Sequence, residues 1–276
     1  MTAIAIWYNA EVQNNPCLWV AADTLVSTGH STVIEDAAKV FTLPVICKSP
    51  GPAGFFSNVY YAHTFGYCFA GNTLMGQNAF LSLTPLLSNL ISPTCYVPSL
   101  FDIAQHAFSF LKHTFDNYKM RAGEKAMFEV AIFGYCHHSQ QLSAYHFAPK
   151  LVSKVWQMTV SHYPLVKSGD FVYLGDDKTN MNSVITTAFS GQTISGRPLS
   201  RIPRYVIQDR IDDESHTTTG GDIQLGIADK FGFRPLKLCK PRVIGQGEAY
   251  ISYLGRELTP DISRVGEALV GGDSMC

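Results

Sequence analysis

Ile4, Ile6 and Tyr8 alternate with Ala3, Ala5 and Trp7 at the start of the chain, and nearly all of these positions are apolar. Period-two alternation with apolar residues on both faces predicts a strand with packed layers above and below it. Cys17–Thr24 has the same character and predicts a second strand. Between the two, Val12-Gln-Asn-Asn-Pro16 reads as an enlarged hairpin turn, and Gly29-His30-Ser31 as another turn before a short segment ending at Ile34. Lys39–Cys47 reads as a strand interrupted by Pro44, and Lys48-Ser-Pro-Gly-Pro-Ala-Gly54 as a loop. The longest strand signal of the first half is Asn58–Ala70, where Val59, Tyr61, His63, Phe65, Tyr67 and Phe69 share a face.

The period then changes. Met75, Ala79, Leu83, Leu86, Leu87 and Leu90 keep helical spacing. A second helix starts at Pro98-Ser99, where Ser99-x-x-Asp102 resembles a capping box ahead of Phe101, Ala104, Phe108, Leu111 and Phe115. Strands return over 126–136, 141–147, 152–160 and 171–175, with His137-His138-Ser139 as one turn. Helices are expected over 177–189 and 198–211, followed by a hairpin of 220–228 and 231–239 around Asp229-Lys230. A large sheet signal split around helix pairs predicts an α+β protein with two stacked sheets between helical layers. Residues 241–276, including Glu248–Leu254, read as an added strand and a polar tail packed on the same domain.

Composition narrows the function. Hydrophobic residues make up 46% of 276, enough for a well-buried core. The net charge of −1 offers no electrostatic case for nucleic acid or an anionic membrane as partner. No uncharged apolar run reaches the roughly 18 residues that a bilayer span needs. The seven scattered cysteines include no Cys-x-x-Cys pair and read as reduced thiols of a cytoplasmic protein. His137-His138 lacks spaced acidic or thiol ligands, and His106 and His113 share a helix face with nothing acidic evident beside them, so no metal is expected. Gly245-Gln-Gly247 lacks the rest of a phosphate loop, so no cofactor is expected.

The candidate chemistry sits at the start. Removal of Met1, expected before a residue as small as Thr2, gives Thr2 both a hydroxyl and a free α-amine. That amine, with a reference pKa of about 8, can accept the hydroxyl proton near neutrality. The second strand ends in Ala-Ala-Asp23-Thr, and Lys39 opens an apolar strand where a charge needs a partner, for which Asp23 is the natural candidate. Phe69-Ala-Gly71-Asn72 then closes a strand just ahead of a helix.

Thr2, Asp23, Lys39 and Gly71, in this order, resemble the proteasome β-subunit superfamily of N-terminal-nucleophile hydrolases, including the bacterial proteasome-related type, over residues 2–240. The resemblance implies a four-layer αββα fold and a threonine-type peptidase or amidohydrolase. Thr2 would be the nucleophile, Asp23 the carboxylate that orients Lys39, Lys39 the activating cation and Gly71 the oxyanion donor. Val26, Ala37, Phe41 and Phe69 would line the specificity pocket and favour an apolar substrate side chain.

Two positions depart from the family pattern. Gly175-Asp-Asp-Lys178 stands where a Gly-Ser-Gly is usual, so Asp176 takes the place of the serine that contacts the amine. Thr219-Gly220-Gly221 stands where a Ser-Gly pair is usual, so that Thr219 would supply the hydroxyl that helps position the amine, with His216 three residues earlier in place of an aspartate. A carboxylate at Asp176 favours the protonated amine and so weakens it as a base. The resemblance further implies a homo-oligomer of rings or stacked rings; whether an ATPase unfoldase feeds such a ring is not written in the sequence. An inactive structural ring subunit and a small-molecule amidase are the two alternatives.

Overall fold

The computed structural model describes residues 2–12, 14–28, 31–191, 197–213, 215–242 and 247–275. It is a mixed α+β structure, mostly sheet, with four α-helices among the described residues. The chain opens with β1 (Ala3–Asn9), β2 (Cys17–Asp23), β3 (Val26–Thr28), β4 (Ser31–Ile34), β5 (Val40–Pro50) and β6 (Phe56–Gly71). Next come α1 (Thr73–Leu87), β7 (Leu90–Ile91), α2 (Leu100–Ala122), β8 (Phe128–Cys136), β9 (Gln141–Val152), β10 (Val155–Pro164) and β11 (Phe171–Gly175). After these are α3 (Lys178–Phe189), α4 (Ile202–Asp212), β12 (Ile223–Asp229) and β13 (Gly232–Pro241). The end of the chain adds β14 (Ala249–Tyr253), β15 (Arg256–Glu257), β16 (Arg264–Val265), β17 (Ala268–Leu269) and β18 (Ser274–Met275).

One sheet runs in the order β11-β1-β2-β12-β13-β14-β15, with β18 also paired to β13. The other runs β10-β9-β8-β6-β5-β7. Strand alternation distributes the core between them. Ile4, Ile6, Leu18 and Val20 meet Val40, Cys68, Ala131 and Phe133 of the second sheet. Their neighbours Ala3, Ala5, Trp7 and Trp19 instead pack with Met181 and Ile185 of α3 and Ile202 and Ile207 of α4. On the second sheet, Leu43, Phe65, Tyr67 and Phe69 pack with Leu83 of α1 and Leu111 and Phe115 of α2. Each face therefore buries a separate apolar set, as a half-sheet period of two requires.

Local signals set the element ends. Ser99 and Asp102 form a reciprocal capping box, with Ser99 N–H donating to Asp102 Oδ2 at 2.8 Å and Asp102 N–H to Ser99 Oγ at 3.2 Å. Pro44 does not interrupt its strand: it pairs with Thr64 inside β5, which continues to Pro50. β7 pairs with β5 only at Cys47 and Lys48, so Pro44 lies where one side of the strand has no ladder to break. The segment read as a loop from Lys48 thus begins as strand. Gly29 and His30 lie outside the described residues. No described helix is long and apolar enough to cross a membrane.

Candidate active site

The antiparallel register of β1 and β2 pairs Ile4 with Ala22, which brings Asp23 opposite the first residue of β1. Ala3 N–H donates to Asp23 Oδ1 at 3.0 Å. Lys39 enters just before β5, on the facing sheet, and its Nζ lies 2.9 Å from the same Oδ1 and 2.7 Å from Leu25 O. Gly220 N–H reaches the other oxygen, Oδ2, at 3.4 Å. Both side chains are sealed from solvent, Lys39 at 1% and Asp23 at 0% exposure. An uncompensated charge at such depth costs several kcal/mol, roughly, so these donors and acceptors are what make the pair tolerable. Burial drives both partners toward neutrality: Lys39 is held below the ordinary lysine range and Asp23 above the ordinary carboxylate range, against their mutual attraction.

Thr2 is itself buried. Its carbonyl accepts from Asp176 N–H at 2.9 Å, where the end of β11 passes alongside. Gly175 makes this approach possible, because its φ is +114° and a Cβ there would fall 1.8 Å from Thr2 O. The Asp176 carboxyl is raised by burial, while the Thr218 side chain and the Thr2 backbone N–H pull it down. Its Oδ2 and the Thr219 Oγ1 are buried without a hydrogen-bond partner among the described residues. Orphaned buried polar atoms are rare and call for an explanation. Both lie at positions singled out above for the amine of residue 2. Met1 lies outside the described residues.

Gly71 closes β6 at φ +89°, directly before Asn72, whose side chain caps α1 by accepting from Met75 N–H at 3.0 Å. A Cβ at Gly71 would come within 2.7 Å of Met127 O. Gly71, Gly175 and Asp176 line one cavity of about 250 Å³ together with Phe128, Glu129 and Trp156. Glu129 lines the same cavity and is not among the residues that the sequence singled out. Its Oε2 lies 2.8 Å from Lys178 Nζ and 2.8 Å from His146 Nε2. Burial works to raise this carboxyl, but the His146 hydrogen bond and the Lys178 charge hold it below the ordinary range. The available signal was a lone carboxylate inside the apolar run of β8. Gln224, a buried polar side chain of β12 that accepts from Lys39 N–H, is likewise not among the residues singled out.

The proposed pocket residues divide. Ala37 is buried beside the site, its N–H donating to Thr24 O at 3.1 Å, and Val26 is half-buried in β3. Phe41 and Phe69 lie elsewhere. They stack at 6.2 Å, Phe41 also stacks on Phe80 of α1 at 4.5 Å, and Phe69 presses on Gly76. They belong to the core beneath α1, whereas their neighbours Val40, Cys68 and Ala70 face the space between the sheets. A larger hollow of about 530 Å³ between α3 and α4 contains none of the candidate residues.

Among the described residues no cluster of three or more His, Cys, Asp or Glu side chains is arranged to hold a metal ion. His137 Nε2 instead meets His63 Nδ1 at 3.4 Å. No protein-family model matches the chain, and no curated protein matches it.

Proposed function

We propose that this chain is an N-terminal threonine hydrolase of the proteasome β-subunit-like kind, with a four-layer αββα sandwich, cleaving peptide or amide bonds in a homo-oligomer. The carrying observation is Asp23 Oδ1, which binds the backbone of Ala3 and the ammonium of Lys39 at once. A buried cation is thereby tied to the residue next to Thr2. The two orphaned oxygens of Asp176 and Thr219 support the same reading, since an α-ammonium freed at Thr2 offers the donors they lack.

In the reaction, Thr2 Oγ forms a bond to the substrate carbonyl carbon and its proton passes to the α-amine. Lys39 stabilises the developing alkoxide, and the carbonyl oxygen, now negative, is received at Gly71 near the α1 N-terminus. The amine returns its proton to the leaving nitrogen as the carbon–nitrogen bond breaks. Water then attacks the Thr2 ester and gives a proton to the amine, which passes it to Thr2 Oγ as the bond between Oγ and the acyl carbon breaks and the acid leaves. Self-association follows from the resemblance alone. A cytoplasmic location rests on the scattered thiols.

Asp176 favours a second reading, the inactive ring subunit, because a carboxylate facing the Thr2 nitrogen holds the amine protonated. Intact mass of the native protein before and after a β-lactone or epoxyketone separates the readings. Loss of Met1 and one adduct at Thr2, absent in Thr2→Ala and reduced at least about a hundredfold in rate in Lys39→Ala, is the expected result. A retained Met1, or a free Thr2 that never reacts, overturns the hydrolase.

A further inference from the structure

Asp23 holds the Lys39 ammonium, and something else must fix where the Lys39 backbone lies. The Gln224 side chain, 2% exposed, does this from β12. Its Oε1 accepts from Lys39 N–H and from Val40 N–H, both at 3.1 Å. Its Nε2 donates to Ala37 O at 2.8 Å and to Leu254 O at 3.1 Å. Only one orientation of the amide matches two donors on one side and two acceptors on the other, and it uses the full capacity of the group.

Leu254 belongs to the C-terminal segment, in the turn after β14. The turn is held down closely. Leu254 has φ +54°, and a Cβ on the following Gly255 would lie 2.1 Å from Thr24 Cγ2, next to Asp23. Arg256 Nε pairs with Asp36 Oδ2 at 2.7 Å, just ahead of Ala37. β14 is anchored from behind by the buried Ser252, whose Oγ donates to Asp222 Oδ2 at 2.6 Å.

We propose that Gln224 is a positioning residue for Lys39, and that the Leu254–Gly255 turn clamps Gln224 so that the C-terminal segment completes the site. The inference rests on Lys39 being the activating cation. Its physical content is that backbone placement, not side-chain reach, aims the ammonium. A drift of the 37–40 backbone moves Nζ away from Asp23 Oδ1 and Leu25 O together, because one ammonium makes both contacts.

The test reads Lys39 and Thr2 separately in the full chain. Acylation of lysines by an N-hydroxysuccinimide ester, followed site by site by mass spectrometry, reports the burial of Lys39 whether or not the protein is a hydrolase. β-Lactone adduct formation at Thr2, followed against pH, reports the chemistry. In Gln224→Leu, which removes every one of these bonds, Lys39 acylation is expected to rise about tenfold or more, with the partly exposed Lys178 unchanged, and the Thr2 rate to fall by a similar factor. Gln224→Glu keeps the acceptor for Lys39 and Val40 but loses the donors to Ala37 O and Leu254 O, and is expected to fall between Gln224→Leu and the native protein. Gly255→Ala, whose Cβ has no room beside Thr24 Cγ2 and would come within 3.3 Å of Gln224 Nε2, displaces the turn while keeping the Gln224 amide, and is expected to act in the same direction, so the test survives a Gln224→Leu chain that does not fold. Native-like Lys39 protection in the folded Gln224 and Gly255 variants overturns the proposal. A native Thr2 that never reacts overturns the hydrolase reading alone, because the acylation pattern still decides the placement of Lys39.

Discussion

Lys39 Nζ and Asp23 Oδ1 lie 2.9 Å apart with neither side chain reaching solvent, although Asp23 ends a strand of one sheet and Lys39 directly precedes a strand of the other. The pair is therefore both a bolt between the two sheets and the electrostatic centre of the candidate site. Removing one member leaves the other charge buried alone. Lys39→Ala is expected to lower stability by about 3–5 kcal/mol in urea unfolding. Asp23→Asn combined with Lys39→Met is expected to recover much of that loss, while the β-lactone adduct still forms at least about a hundredfold more slowly than in the native protein. A Lys39→Ala protein as stable as the native one would contradict the burial argument.

Gly175 tests how closely β11 must pass Thr2. Alanine there carries a Cβ that has no room beside Thr2 O, on a backbone at φ +114° that L side chains rarely adopt. Gly175→Ala is expected to destabilise by about 1–3 kcal/mol and to slow adduct formation at Thr2 as residue 2 is displaced. Thermal unfolding and labelling rate measured on one preparation check both.

His63 supplies a pH dependence remote from the candidate chemistry. Burial, and after it the neighbouring His137, depress its pKa from 6.5 to about 4, against the opposing pull of the Tyr135 backbone and Asp229. Between those values the unfolded chain takes up a proton that the folded protein refuses. Stability is then lost as pH falls from about 6.5 to about 4 and changes no further below that. Screening keeps the loss nearer 1–2 kcal/mol, roughly, than the full shift implies. Urea midpoints across this range should fall more steeply in the native protein than in His63→Leu.

Phe69 separates a pocket wall from a core side chain. Stacked on Phe41 and pressed on Gly76, it should behave as core, and Phe69→Ala is expected to cost about 3–5 kcal/mol. A change in substrate preference with stability intact would instead return it to the pocket wall.

What the chain wrote locally could be read without a structure. The Ser99/Asp102 box, the helical spacing of α1 and α2, and the alternation of β1 each depend on neighbours within one or two turns or strand pairs, so residue order alone carries them. Asp23 and Lys39 could be read for a related reason, since a carboxylate ending one apolar strand and an ammonium opening another need each other wherever they meet. Phe41 and Phe69 could not be assigned: alternation puts them on one face of the sheet but does not say whether that face meets α1 or the opposing strands. Glu129 with Lys178, and Gln224 with Leu254, are joined only by folding, across 49 and 30 residues of chain. Local pattern determines which elements form and which of their faces are apolar. Only the packing of sheet on sheet and helix on sheet decides which polar side chains share a buried space, because that burial, not their order in the chain, forces them into contact.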